Sequence, residues 1–236
     1  MDPASKRISL LATLGFACVV VIAAASAFLR VHGYGEPVVP EVVIDAVRGA
    51  HRVAAILAGL AILALAVLAF ERRGARVDLA ITAALLLLTI ALAWIGRSSA
   101  GTPHPVVAAT NLLGGFALAG LLWWLRVRQS GARISSRIAS IALALITAQI
   151  VLGAALSISR VGTPFLVAHA LLGLAFAVLC VRLHAKLLLG FASAQVLLGA
   201  AMALTQLPFA LVYSHNLLAV LLFVATIHAV HRPASA

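Results

Sequence analysis

The sequence predicts an all-α integral membrane protein whose eight transmembrane helices form two pseudo-symmetric four-helix bundles. Three observations carry that expectation. Apolar residues make up 64% of the chain and charged residues 10%, whereas a soluble domain is about half apolar and about a quarter charged. Eight apolar runs are each long enough to cross roughly 30 Å of hydrocarbon. A polar break at Gln129-Ser130-Gly131-Ala132-Arg133 divides the runs four and four, so residues 1–130 and 131–236 are expected as an N-terminal and a C-terminal half.

The runs cover residues 8–29, 46–70, 77–96, 105–125, 135–158, 164–182, 187–206 and 209–230. Lys6 and Arg7 precede the first in the manner of a signal peptide. That run is long, however, and no small-residue cleavage site follows before Arg30, so it reads as a retained helix. Residues 30–45 form an outer loop rich in Gly and Pro, with three of the six acids, Glu36, Glu41 and Asp45; loops of this length often carry function. Cys18 lies within the first run and Cys180 near the inner end of the sixth, so no disulfide is expected. Trp94, Trp123 and Trp124 stand near run ends as interfacial anchors. The glycines at 59, 114, 115, 153, 173 and 199 read as helix-packing positions.

Net charge is +11, but no basic stripe with interleaved aromatics marks a nucleic-acid surface. The charge is topological instead. Lys6, Arg7, Arg72, Arg73, Arg76, Arg126, Arg128, Arg133, Arg137, Arg182, Lys186 and Arg232 fall on one side, twelve of the seventeen basic residues; Arg30, Arg48, Arg52, Arg97 and Arg160 fall on the other. Basic residues collect on the cytoplasmic side, which places both termini there. An even number of spans agrees.

One unit is used twice near the C-terminus. Gln149 and Gly153 precede His169, and Gln195 and Gly199 precede His215, with a Gln-to-His spacing of twenty and a Gly-to-His spacing of sixteen in both copies. Each unit is an apolar helix, a turn with Pro164 or Pro208, and a second apolar helix carrying the histidine. At 1.5 Å per residue His169 lies about 7 Å and His215 about 10 Å along the helix from those prolines, in the outer half of the membrane. An intramembrane histidine is costly unless it finds a partner, and is therefore a site candidate. Matched imidazoles in two helices suggest a pair of axial ligands. Heme suits them: two neutral imidazoles satisfy iron axially, and Ala168, Ala170, Gly173 and Ala219 leave room for a flat macrocycle. A structural zinc would want two more ligands than the neighbourhood supplies.

His51 is the third intramembrane histidine, and Arg52 follows it. Arg48 and Arg52 at an outer pocket mouth can pair with heme propionates, or snorkel to lipid headgroups. Eight spans in two halves, the long outer loop, His51-Arg52 opening the second span, and the Gln-x-x-x-Gly to His pattern together resemble the heme A synthase family. The resemblance implies heme b on His169 and His215 in the C-terminal half. It implies a substrate site in the N-terminal half, where a methyl group of heme O is oxidised to the formyl group of heme A. His51 would be one iron ligand there. It further implies a cell-membrane protein with both heme sites toward the outer face, with heme, membrane lipid, a heme O synthase and terminal oxidase assembly factors as partners.

The sequence departs from that family at defined places. Asn111 stands where the family has the second histidine of the N-terminal site, and Arg48 where it has a glutamate thought to act in the oxidation. Asp45 is the nearest acid, which leaves His51 and Asp45 as catalytic candidates. The outer-loop cysteine pair of many members is absent. His104 could supply a ligand from the loop end, or simply start a helix between Pro103 and Pro105. Two other readings stay open: a non-catalytic heme-binding relative, and a transmembrane di-heme cytochrome with a second imidazole pair at His184 and His228.

Overall fold

Within hydrocarbon no water meets the backbone, so a spanning segment must satisfy its own N–H and C=O groups, and a helix does this internally. The computed structural model describes residues 2–32, 39–72, 76–98, 105–131, 133–134, 136–159, 162–205 and 209–232. Its helices are α1 (Pro3–His32), α2 (Glu41–Glu71), α3 (Arg76–Ser98), α4 (Pro105–Arg128), α5 (Arg137–Ser159), α6 (Thr163–Arg182), α7 (Lys186–Leu204) and α8 (Phe209–Val230). All eight are long and apolar enough to cross a membrane. Phe70, Trp94 and Leu204 are among the large apolar side chains left open on outward faces, as contact with lipid tails allows. The protein is an all-α membrane protein.

Local chemistry sets the helix ends. The Asp2 carboxylate accepts the backbone N–H of Ser5 at 2.7 Å and the Ser5 hydroxyl at 3.0 Å, capping α1. These bonds, with Arg72 nearby, hold the Asp2 carboxyl below its ordinary range, so the cap is lost as pH falls through that lowered value. Pro164 stands in the first turn of α6 after Gly162, where a missing N–H costs nothing. At the far end of α6 the N–H groups of His184 and Ala185 return to the carbonyls of Val181 and Cys180. That closure places His184 at a φ of 52°, the left-handed position that ends a helix.

In the first half each helix packs on the next, and α1 closes against α4; in the second the same order recurs, with α5 closing against α8. The halves meet where α4 and α8 touch each other and α1 and α5. A Cβ on Gly120 would lie 2.7 Å from the Phe223 ring, so α4 and α8 approach closely only because that residue is glycine. Phe223 and Ile150 pack against both hydrophobic cores. The connection between halves is tethered as well, because β1 (Arg133–Ile134) pairs antiparallel with β2 (His231–Arg232).

At the end of the first half that holds the N-terminus, a polar network joins all four helices. Arg72 donates to Asp2 at 3.1 Å, to the Ser5 hydroxyl at 3.3 Å and to Gln129 at 3.2 Å. Gln129 and Arg128 donate to the two oxygens of Asp78 at 3.1 and 3.2 Å. Gln129, read from sequence as part of the polar break between the halves, is thus the network's centre.

Other expectations change. Residues 41–45 belong to α2 and 30–32 to α1, so Glu41 and Asp45 are helical rather than part of an outer loop; residues 33–38, with Glu36, lie outside the described residues. Trp123 is not a free interfacial anchor, since its ring packs on Phe16 at 4.9 Å and His228 at 6.1 Å, with Arg126 4.4 Å over its face. Cys18 and Cys180 are free thiols.

Replacing Asp78, which is 7% exposed, with Ala removes the acceptor shared by Arg128 and Gln129. The expected cost is about 2 kcal/mol, read as a lower thermal unfolding midpoint in detergent. Asp45→Ala removes only an exposed pair and should cost under about 0.5 kcal/mol. Equal losses would show that the network does not hold this end together.

Candidate functional site

Helices α6 and α8 stand on the diagonal of the second ring. Each carries its histidine as the seventh residue, 163 to 169 and 209 to 215, so the imidazoles are level across the bundle. Their ring centroids are 6.4 Å apart with the planes 54° to each other.

The intervening helices seat those rings. A Cβ on Gly153 of α5 would lie 3.0 Å from Cε1 of His169, and one on Gly199 of α7 would lie 3.4 Å from Cε1 of His215. At Gly153 the absence of a Cβ is what lets the ring lie so close to the neighbouring helix, while at Gly199 a methyl would meet only ordinary contact. The paired glutamines complete the arrangement. Gln149 brings its amide nitrogen to 3.3 Å from Nε2 of His169, and Gln195 donates to the backbone carbonyl of His215 at 3.1 Å. Gly173, one turn after His169, would clear Gln149 by only 3.1 Å if it had a Cβ, so a third glycine makes room for the amide.

This cluster is polar and incompletely paired. Nδ1 of both histidines and Oε1 of both glutamines are buried without a hydrogen-bond partner. A buried unpaired group costs free energy comparable to a lost hydrogen bond, and here four converge on one place. Among the described residues no group of three or more His, Cys, Asp or Glu could hold a metal ion. A metal ion on these imidazoles would therefore draw its other ligands from a bound molecule.

The first half repeats the helix order without the site. His51 is half-buried on α2, while Arg52, Arg48 and Asp45 are exposed. Arg48 pairs with Asp45 at 3.1 Å and Glu41 at 3.4 Å on its own helix. Asn111 is the seventh residue of α4, 105 to 111, the same register as His215 in α8, and it is exposed. Sixteen and twenty residues before Asn111, where the other copies have Gly and Gln, stand Ile95 and Ala91. A Cβ on Gly114 would lie 2.5 Å from Leu92, so leucine fills the notch between α3 and α4. His104 lies outside the described residues.

The structure therefore joins His169 with His215, and gives His51 and Asn111 no such contact among the described residues. Gly153, Gly173 and Gly199 contact side chains of the site, where sequence reasoning treated them as helix-packing positions. The signal was the fixed Gly-to-His spacing of sixteen. No protein-family model matches the chain, and no curated protein matches it either.

Gly→Ala within a helix is worth about 1 kcal/mol in propensity. At Gly199 the new methyl meets ordinary contact, so Gly199→Ala should stabilise the protein. At Gly153 the methyl pushes the His169 ring aside, so Gly153→Ala should be neutral or destabilising. Thermal unfolding of both variants in detergent decides it; equal stabilisation would mean that the ring is not seated on Gly153.

Proposed function

We propose that this protein is a membrane heme protein of the heme A synthase kind, with His169 and His215 as axial ligands of a heme b. The carrying observation is the level imidazole pair, with ring centroids 6.4 Å apart. His169 and His215 would hold the heme iron between them. The donor set suits the group too: two neutral imidazoles with no third ligand call for a planar chelator, and each ring keeps a nitrogen without a partner. A heme bound there supplies one-electron redox chemistry. The chain's own part is to hold the rings, through Gly153 and Gly199, and to exclude water with an apolar bundle.

The excess of Lys and Arg at the end holding both termini supports cytoplasmic termini in a cell membrane. The imidazoles, near the starts of α6 and α8, then lie toward the outer face. By this reading the first half takes heme O on His51 and oxidises its methyl group to the formyl of heme A. Arg52 is free of a paired acid in the contacts described and suits a propionate. A heme O synthase and oxidase assembly factors are the fitting partners.

A second reading, a heme-binding relative without catalysis, draws on the first half itself. Arg48 cannot accept a proton at neutral pH, and the candidate base Asp45 is ion-paired to it. A stacked di-heme cytochrome is less favoured, since His184 occupies a helix-ending turn and His228 packs on Trp123.

Expression with a heme O synthase tests both. Ala at His169 or His215 should abolish a low-spin bis-imidazole spectrum, while His184→Ala and His228→Ala keep it. Heme A formed per protein should be low in the wild type, absent in His51→Ala with the low-spin spectrum intact, and higher when R48E and N111H are combined. No heme A from the wild type or the combined variant would establish the non-catalytic reading.

A further inference from the structure

The two copies of the repeat match in sequence and differ in how they hold their histidines. Gln149 reaches the His169 ring itself, at 3.3 Å from Nε2. Gln195, at the same spacing, instead donates to the main-chain carbonyl of His215 at 3.1 Å, which leaves that ring without an amide partner. The seat differs as well. Gly173 leaves its space to the Gln149 amide, whose nitrogen would be 3.1 Å from a Cβ there. Four residues after His215 the corresponding position is Ala219.

We infer that Gln149 is a positioning residue that tunes the electron donation of His169, that Gln195 does not do so for His215, and that the two axial ligands are therefore unequal. This rests on the heme reading above. An amide has a donor end and an acceptor end. A neutral imidazole that gives one nitrogen to a metal carries its proton on the other, and an adjacent amide meets that N–H with its oxygen. In the structure the amide nitrogen stands at Nε2 of His169; turning the Gln149 amide end for end puts its oxygen there instead, and that oxygen is buried with no other partner, so nothing competes for it. Accepting the ring proton makes a ligand more basic and favours the oxidised metal. His169 is thus the stronger donor of the pair, and it is held in one orientation from two sides, by Gly153 at Cε1 and by Gln149 at Nε2.

The test is redox titration of the purified heme-loaded protein, with electron paramagnetic resonance of its ferric low-spin signal. Q149L should raise the midpoint potential and change the g-values. Q149E, a stronger acceptor, should lower the potential, and Q195L should leave both at the wild-type position. Equal shifts in Q149L and Q195L, or no shift in Q149L, overturn the inference while leaving the heme reading in place. Should Q149L fail to load heme, Q149E against Q149N decides: a lower potential in Q149E supports the inference, and coincident potentials overturn it. Absence of any low-spin heme from the wild type overturns the heme reading itself, and this inference with it.

Discussion

Hydrocarbon offers no hydrogen-bond partners, and that constraint decides where every polar group of this chain goes. The threonines show how it is ordinarily met: Thr13, Thr89, Thr147, Thr205 and Thr226 each return a hydroxyl to the carbonyl four residues back. The hydroxyl is then satisfied inside its own helix. Against that background the unpaired atoms stand out. Of the five buried side-chain atoms without a partner among the described residues, four belong to Gln149, His169, Gln195 and His215, and the fifth is the indole nitrogen of Trp123. Polar groups left unpaired beside one another, where the threonine hydroxyls are paired, mark a place built for something besides packing.

The ends of the molecule divide the work. Where the first half holds the N-terminus, Asp2, Ser5, Arg72, Asp78, Arg128 and Gln129 join four helices through charge-assisted bonds, which are shorter and stronger than neutral ones. The first half also has the larger buried core, with Ile62, Leu65, Leu85, Leu122 and Leu125 fully enclosed. In the second half α6 buries only Phe176 and Cys180, and α7 only Leu188 and Ala192. Helices that surround two facing rings cannot close on one another at that level. The imidazoles accordingly sit in the less tightly packed half, joined to the firmer one through Gly120 and Phe223.

Much of this was legible in the chain because its signals are local. Eight apolar runs specify eight helices whatever their neighbours do, and a spacing of twenty from Gln to His survives as a contact because one short turn links the two helices. The polar network was illegible for the opposite reason. Arg72 and Asp2, or Gln129 and Asp78, are far apart in sequence, and a basic residue near a span end looks the same whether it meets an acid or a lipid headgroup. Trp123 was misread on similar grounds, since proximity to a span end says nothing about Phe16 and His228 packing on it. Asp45 and Arg48 were separable roles on paper; three residues apart on one helix, they become one ion pair.

The same ring of helices is built twice, but the parts of a site are kept once. Asn111 takes the register of His215, Ala91 and Ile95 take the places of Gln and Gly, and Leu92 fills the notch at Gly114. This asymmetry restricts the chemistry. On the proposed heme reading, an iron held by two imidazoles would have no open position, so a heme on His169 and His215 would pass electrons without itself engaging a substrate. On the proposed reading any oxidation falls to the first half, where His51 is half-buried on α2 and Asn111 is exposed on α4. A metal held on one side only would keep a position open, so an asparagine at 111 rather than a second histidine is compatible with the proposed catalysis. Arg48 is harder to reconcile with that proposal, because it cannot accept a proton and it engages the nearest acid, Asp45. The choice between the two proposed readings, catalytic or only heme-holding, therefore turns on the chemistry around α2, and not on the better-formed site between α6 and α8.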